Sequence, residues 1–282
     1  MARKERRDAV RVEVDGLHKT FPYVMRNRTD AEACQQMDVD VTELVEWMKK
    51  ENEENGTNYK IFHAVCTGVA KTVRHRPLLN RFIAGRQYWQ RKELSLSFTA
   101  KRQFKDGAEE SLVCVTAKDD MTIDDFSKKI LGDVTKMREA GKNDLDDIIS
   151  TVMKAPRFIL EIFFWILFRL EYHGMMPKIL TDGDANYTSV FLTNLGSIGA
   201  GASYHHLNNY GTNSVFVIVG TMKKQLNENG ELRTILPMAV VLDERIADGF
   251  YFVRSFKYFE WLMQHPEELK KPLSELGDYT FD

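Results

Sequence analysis

At 282 residues, 43% hydrophobic and 11% aromatic, the chain can build a real core, which excludes global disorder. A net charge of −2 with both signs mixed along the chain argues against a dedicated nucleic-acid binder. The basic opening MARKERR is followed by no apolar run, which excludes a secretory signal. Residues 1–14 therefore read as a basic, solvated tail, and 1–282 as one domain. Cys34, Cys66 and Cys114 are odd in number and widely spaced. They suggest neither a disulfide framework nor a cysteine zinc site, but inert packing in a reducing cytoplasm.

In chain order, the first block opens with CQQMDVDVTELVEWMKKENEENGTN. Alternating Met37, Val39 and Val41 predict a strand, and Leu44, Val45 and Met48 a helix behind an N-cap at Thr42. Asn55-Gly56 ends that helix. KIFHAVCTGVAKTVRHRP is a second helix with Phe62, Val65, Val69 and Val73 on one face and Pro77 beyond its end. Strands follow across residues 79–104, with Leu94, Leu96 and Phe98 alternating, and again across 111–119. Residues 121–141 read as a third amphipathic helix.

PRFILEIFFWILFRLEY, Pro156 to Tyr172, is the most apolar run of the chain. Glu161 and Arg169 interrupt it, and it falls short of the about 20 apolar residues a membrane span needs. It reads as a buried or subunit-facing helix, with a membrane-surface helix as the other option.

The second block begins with TSVFLTNLGSIGAG, a strand entering a glycine-rich corner. SVFVIVGTMKKQLNENGELRTILPMAVVLDERI is a long hairpin turned at Asn229-Gly230. A closing amphipathic helix stops at Pro266. Helices alternating with at least six strands imply an α/β or α+β sandwich.

Several motifs carry little. Gly196, Gly199 and Gly201 lack the spacing of a nucleotide loop and have no P-loop lysine after them, so they read as a turn. His205 and His206, taken as strand neighbours, point to opposite faces and so do not share a metal; no metal site is expected. No GxSxG nucleophile elbow occurs.

VVLDERIADGFYF, Val240 to Phe252, is different: a strand runs into Asp243, and Glu244, Arg245, Asp248 and Gly249 crowd one corner. With TSVFLTNLGSIG and VFVIVG before it, this pattern resembles the dihydrolipoamide acyltransferase catalytic domain of the 2-oxo acid dehydrogenase complexes, whose fold chloramphenicol acetyltransferase shares. The family signature is Asp-His-Arg-x-x-Asp-Gly after a Thr-Ile-Ser-Asn-Leu-Gly type strand. Asp243, Arg245, Asp248 and Gly249 stand at signature positions, and Thr193-Asn194-Leu195-Gly196 at the second motif. MDVDVTEL also looks like the family's strand-to-helix passage, so the resemblance covers about residues 15–276.

The resemblance implies an α/β two-layer sandwich of the chloramphenicol acetyltransferase type, a mixed sheet flanked by helices, assembled as a homotrimer or a larger assembly. It implies active sites between subunits, CoA or acyl-CoA as co-substrate, and a small-molecule acceptor. Thr193 then steadies an oxyanion, and Asn194 and Gly196 border the substrate. Asp248 holds the corner through Arg26, Arg28 or Arg245, with Asp243, Arg245 and Gly249 shaping it. Family members of the dehydrogenase complexes carry lipoyl and subunit-binding domains on Ala/Pro-rich linkers; with nothing like them in this sequence, a stand-alone acetyltransferase arrangement is the expectation.

The departure is Glu244, which stands where the family has its catalytic His. A free Glu has a pKa of about 4.3 against about 6.5 for His, a deficit of about 3 kcal/mol in proton-accepting power. Burial raises carboxylates enough to close that gap. Two readings stay open: an acyltransferase with Glu244 as its base, or a trimeric ligand-binding or scaffold protein that lost the chemistry with the His.

Overall fold

The structure, a computed structural model, describes residues 5–101, 110–139 and 151–281. Residues 1–4 of the expected tail, and the ends of the predicted segments 79–104 and 121–141, lie outside those described. In chain order the elements are β1 (Ala9–Val12), α1 (Phe21–Val24), β2 (Glu32–Asp40), α2 (Thr42–Glu54) and α3 (Ile61–His75). Then come β3 (Arg81–Ala84), β4 (Gln87–Arg91), β5 (Leu94–Lys101), β6 (Glu110–Ala117), α4 (Ile123–Glu139) and α5 (Arg157–Tyr172). The last are β7 (Val190–Asn194), β8 (Val215–Val219), β9 (Lys223–Leu226), β10 (Leu232–Asp243) and α6 (Gly249–Gln264).

The large sheet has the order β2-β10-β8-β7-β5-β6, with β9 hairpinned onto the start of β10. β7 runs parallel to both β5 and β8, and the other pairs are antiparallel. Alternation sorts its two faces. Met37, Leu96, Leu192, Val217 and Leu236 turn to one face, where the apolar stripes of α2, α3, α4 and α6 cover them in one continuous core. Each fully buried Leu, Ile or Phe there contributes about 1.5–3 kcal/mol. The opposite face offers Phe216, Ile218, Ala239 and Val241, covered by Phe191, Leu195 and Leu207 rather than by a helix. The candidate site lies at the end of β7, where residues of both faces meet.

The α/β sandwich read from the sequence is thus the architecture observed. At α2 the capping oxygen differs from expectation: Asp40 Oδ1 accepts the Thr42 N–H at 3.0 Å, and Thr42 is the first helical residue.

Residues 9–12, inside the stretch read as a solvated tail, form β1 and pair with β4 in a second, three-stranded sheet of order β1-β4-β3. The basic residue Arg6 is buried rather than solvated. Its guanidinium donates to Asp8 at 2.9 Å and to Glu171 of α5 at 3.3 Å, beside the Phe82 and Trp89 rings. Ion pairing made a basic segment compatible with burial. The cysteines are all free; Cys66 is buried and Cys114 half-buried, but Cys34 is exposed on β2 rather than packed away.

Candidate functional site

The signature corner starts at the end of β10, where Asp243 sits in register with Glu32 of β2. Asp243 is fully buried. Its two carboxylate oxygens accept Arg245 Nε and Nη2, each at 2.7 Å, a bidentate pair. Arg28 Nε lies 3.8 Å away from the same carboxylate. Arg245 Nη1 also donates to the Met25 carbonyl at 2.7 Å, and Arg28 Nη2 to the Gly211 carbonyl at 2.9 Å. Burial draws the Arg28 pKa down from its ordinary value, and the Asp243 charge opposes that shift. This ion cluster clamps the segments around Met25, Arg28 and Gly211 to the end of β10.

Asp248 is placed differently from expectation. Its carboxylate accepts the Tyr251 N–H at 2.8 Å as the N-cap of α6. Among the described residues, Arg28 and Arg245 pair with Asp243 instead, and Arg26 makes no ion pair with Asp248. Gly249 is the first residue of α6. Glu244 is exposed at the corner, with its N–H donating to the Ala31 carbonyl at 2.8 Å.

Thr193 and Asn194 end β7 and border a cavity of about 540 Å³, together with Ser197, His205, His206 and Phe216. The Asn194 side chain accepts the Ser197 N–H at 3.1 Å, which shapes the turn after the strand. Gly196 does not line the cavity; a Cβ there would lie 2.4 Å from the Gly220 carbonyl, so the residue serves the close approach of the β7 and β8 ends.

Glu244 does not border this cavity. Thr193 pairs with Ile218, which pairs with Ala239, five residues before Glu244 on the same strand run. Two strand spacings and five residues of rise put the two backbones roughly 19 Å apart. One chain therefore does not bring these residues together.

The histidines depart from the sequence reading. Residues 201–207 have no regular secondary structure, so strand alternation does not apply, and both imidazoles border the Thr193 cavity. His205 stands edge-on to Phe216, with ring centroids 5.0 Å apart. His206 Nδ1 is 2.9 Å from Glu32 Oε2, while Glu32 Oε1 accepts the Leu207 N–H at 2.6 Å. A carboxylate that holds Nδ1 leaves Nε2 as the acceptor, the arrangement used to orient a general base. No group of three metal-ligating side chains occurs among the described residues.

A second cavity, about 360 Å³, lies on the inner side of the corner between Arg26, Arg28, Arg86 and Arg245. The turn from β3 to β4 presents Arg86 through positive φ at both Gly85 and Arg86, 57° and 58°. Glu171, the acidic residue bordering this cavity, is already engaged by Arg6 and by the Tyr187 hydroxyl at 2.8 Å. Arg28 and Arg245 are already held by Asp243, so Arg26 and Arg86 supply the positive charge of this space.

No family model matches the sequence, and no curated protein is similar to it at significant level. Solved structures are similar. A probable dihydrolipoamide acetyltransferase from Listeria monocytogenes superposes with a TM-score of 0.60 at 14% identity, over 96% of this chain and 97% of that one. The cubic core of a pyruvate dehydrogenase multienzyme complex gives 0.59 at 15% identity, over 92% and 93%. A chloramphenicol acetyltransferase gives 0.58 at 11% identity, over 90% and 99%. The chain has the acyltransferase fold that dihydrolipoamide acetyltransferase cores and chloramphenicol acetyltransferase share.

Proposed function

We propose that the protein is an acyltransferase that moves an acyl group from CoA, or another thioester, to a small acceptor, as a single-domain homotrimer with its sites between subunits. The observation that carries this reading is the Thr193 cavity, which lies at the end of β7 in an acyltransferase fold, between Phe62 and Ile130 of the helical layer and Phe216 of the other face, and is bordered by an oriented imidazole. The reaction needs three things there: a base, an oxyanion donor and room for a thioester. The acceptor's O–H, N–H or S–H gives its proton to the base as its lone pair adds to the thioester carbonyl. The Thr193 hydroxyl donates to the resulting oxyanion. Collapse expels CoA as thiolate, which recovers the proton from the base.

Glu244 of a neighbouring subunit is the proposed base, since the separation within one chain leaves only another copy to bring it to Thr193. Asn194 borders the substrate, while Gly196, Asp243, Arg245, Asp248 and Gly249 keep the two motifs in shape. The arginine-lined cavity behind the corner favours a substrate with a phosphate or carboxylate, a chemistry that the phosphates of CoA satisfy. The His206–Glu32 pair supports a second assignment of the proton, to the imidazole already on the Thr193 side.

The two bases separate by experiment. With acetyl-CoA and a panel of small acceptors, released thiol reports turnover. Removing a working general base lowers kcat about 10²–10⁴-fold, so Glu244→Gln is expected to lose activity by that factor while His206→Gln keeps it. The opposite outcome moves the base to His206. Saturable CoA binding without turnover in the natural protein, with activity switched on in Glu244→His, would instead identify a catalytically degenerate binding or scaffold protein.

A further inference from the structure

Helix α5 is apolar around nearly its whole circumference, a pattern that belongs inside a protein or assembly. Among the described residues one stripe is packed, where Leu167, with Phe163 and Leu170, lies on Met176 and Tyr187, and Phe168 meets the Tyr210 ring edge-on at the margin of that stripe. The opposite face is left in solvent, with Phe158 63% and Trp165 66% exposed. No helix among the described residues is long and apolar enough to cross a membrane. At about 200 Å² per aromatic side chain, the five exposed aromatics of the helix present roughly 500 Å². That is already near the top of the about 300–600 Å² range for the largest patch on a monomer. The exposed isoleucines 159, 162 and 166 extend the patch toward the about 800 Å² that each partner buries in a specific interface.

The charges on this face select the occupant. Glu161 and Arg169 stand four residues on either side of Trp165, which puts both on the outward side of the helix. Two copies crossing antiparallel about a two-fold axis at Trp165 bring together positions equidistant from it. Glu161 of each copy then meets Arg169 of the other, Ile162 meets Phe168, and Phe158 meets Tyr172. The present exposed pair of Glu161 with Arg157, at 3.0 Å, is of the kind that exchanges at little cost.

We propose that α5 is a self-association surface on which two copies of this chain pair antiparallel, enclosing Trp165 and closing with reciprocal Glu161–Arg169 ion pairs. The inference does not depend on the acyltransferase reading, and its test reads mass rather than turnover. Light scattering on the full chain is expected to give a mass that halves in Trp165→Glu and in Glu161→Arg, with unchanged far-ultraviolet circular dichroism. The charge exchange Glu161→Arg with Arg169→Glu is expected to restore the wild-type mass. A Trp165→Glu protein of wild-type mass, or of a third of it, overturns the proposal. Failure of the double exchange to restore the mass overturns the antiparallel register. Flotation of the wild type, but not Trp165→Glu, with phosphatidylglycerol-containing vesicles at unchanged mass assigns the face to lipid and overturns it too.

Discussion

Asp243→Ala should destabilise the protein by about 3–5 kcal/mol, the usual result of removing one partner from a buried ion pair. The side chain is wholly buried, and Arg245 makes two hydrogen bonds to it while Arg28 lies 3.8 Å away. Taking the carboxylate away leaves two buried guanidinium groups without a counter-charge, and their carbonyl contacts at Met25 and Gly211 do not neutralise them. Urea unfolding midpoints at one fixed protein concentration measure the loss. Glu244→Gln, one residue further on and exposed, should stay within about 0.5 kcal/mol of wild type. A similar cost for the two variants would show that the ion cluster does not hold the corner. The contrast matters because it separates two adjacent acids of one motif, of which Asp243 alone holds the fold.

Thr193→Ala should lower kcat about 10²–10³-fold with KM little changed, as loss of one oxyanion donor does. Such a hydrogen bond strengthens only as charge develops on the carbonyl oxygen, so it acts on the transition state and scarcely on binding. Thr193→Ser, which keeps the hydroxyl, should retain most of the rate. The comparison needs an acceptor identified by thiol release from acetyl-CoA. Equal rates in wild type and Thr193→Ala would remove the threonine from the mechanism, and a rise in KM alone would make it a binding contact. Because Thr193 is only half-buried at the cavity edge, the alanine variant should fold normally.

Much of the fold was legible from local pattern. Alternation identified β2 and β5, helical spacing identified α2 and α3, and Asn229-Gly230 marked the tip of the hairpin that leads into β10. Two ordered motifs pointed to the acyltransferase fold at identities of 11–15% in the structures compared, where sequence comparison itself returns nothing. β1 was missed because four residues among arginines carry little apolar signal, and its pairing depends on β4, far along the chain. The strand reading of His205 and His206 failed because their segment takes its shape from Glu32, 174 residues from His206, rather than from its own periodicity.

The amino-acid sequence by itself determined the long helices, the central strands and which residues make up the two motifs, since these depend on neighbours a few positions apart. The tertiary structure alone decided which acid holds the corner. Arg28 and Asp243 are separated by more than two hundred residues and meet only because β2 lies beside β10. It also decided that Thr193 and Glu244 lie far apart in one chain, and that α5 turns most of its apolar surface outward. Packing sets those outcomes, and packing depends on contacts that no local window of residues contains.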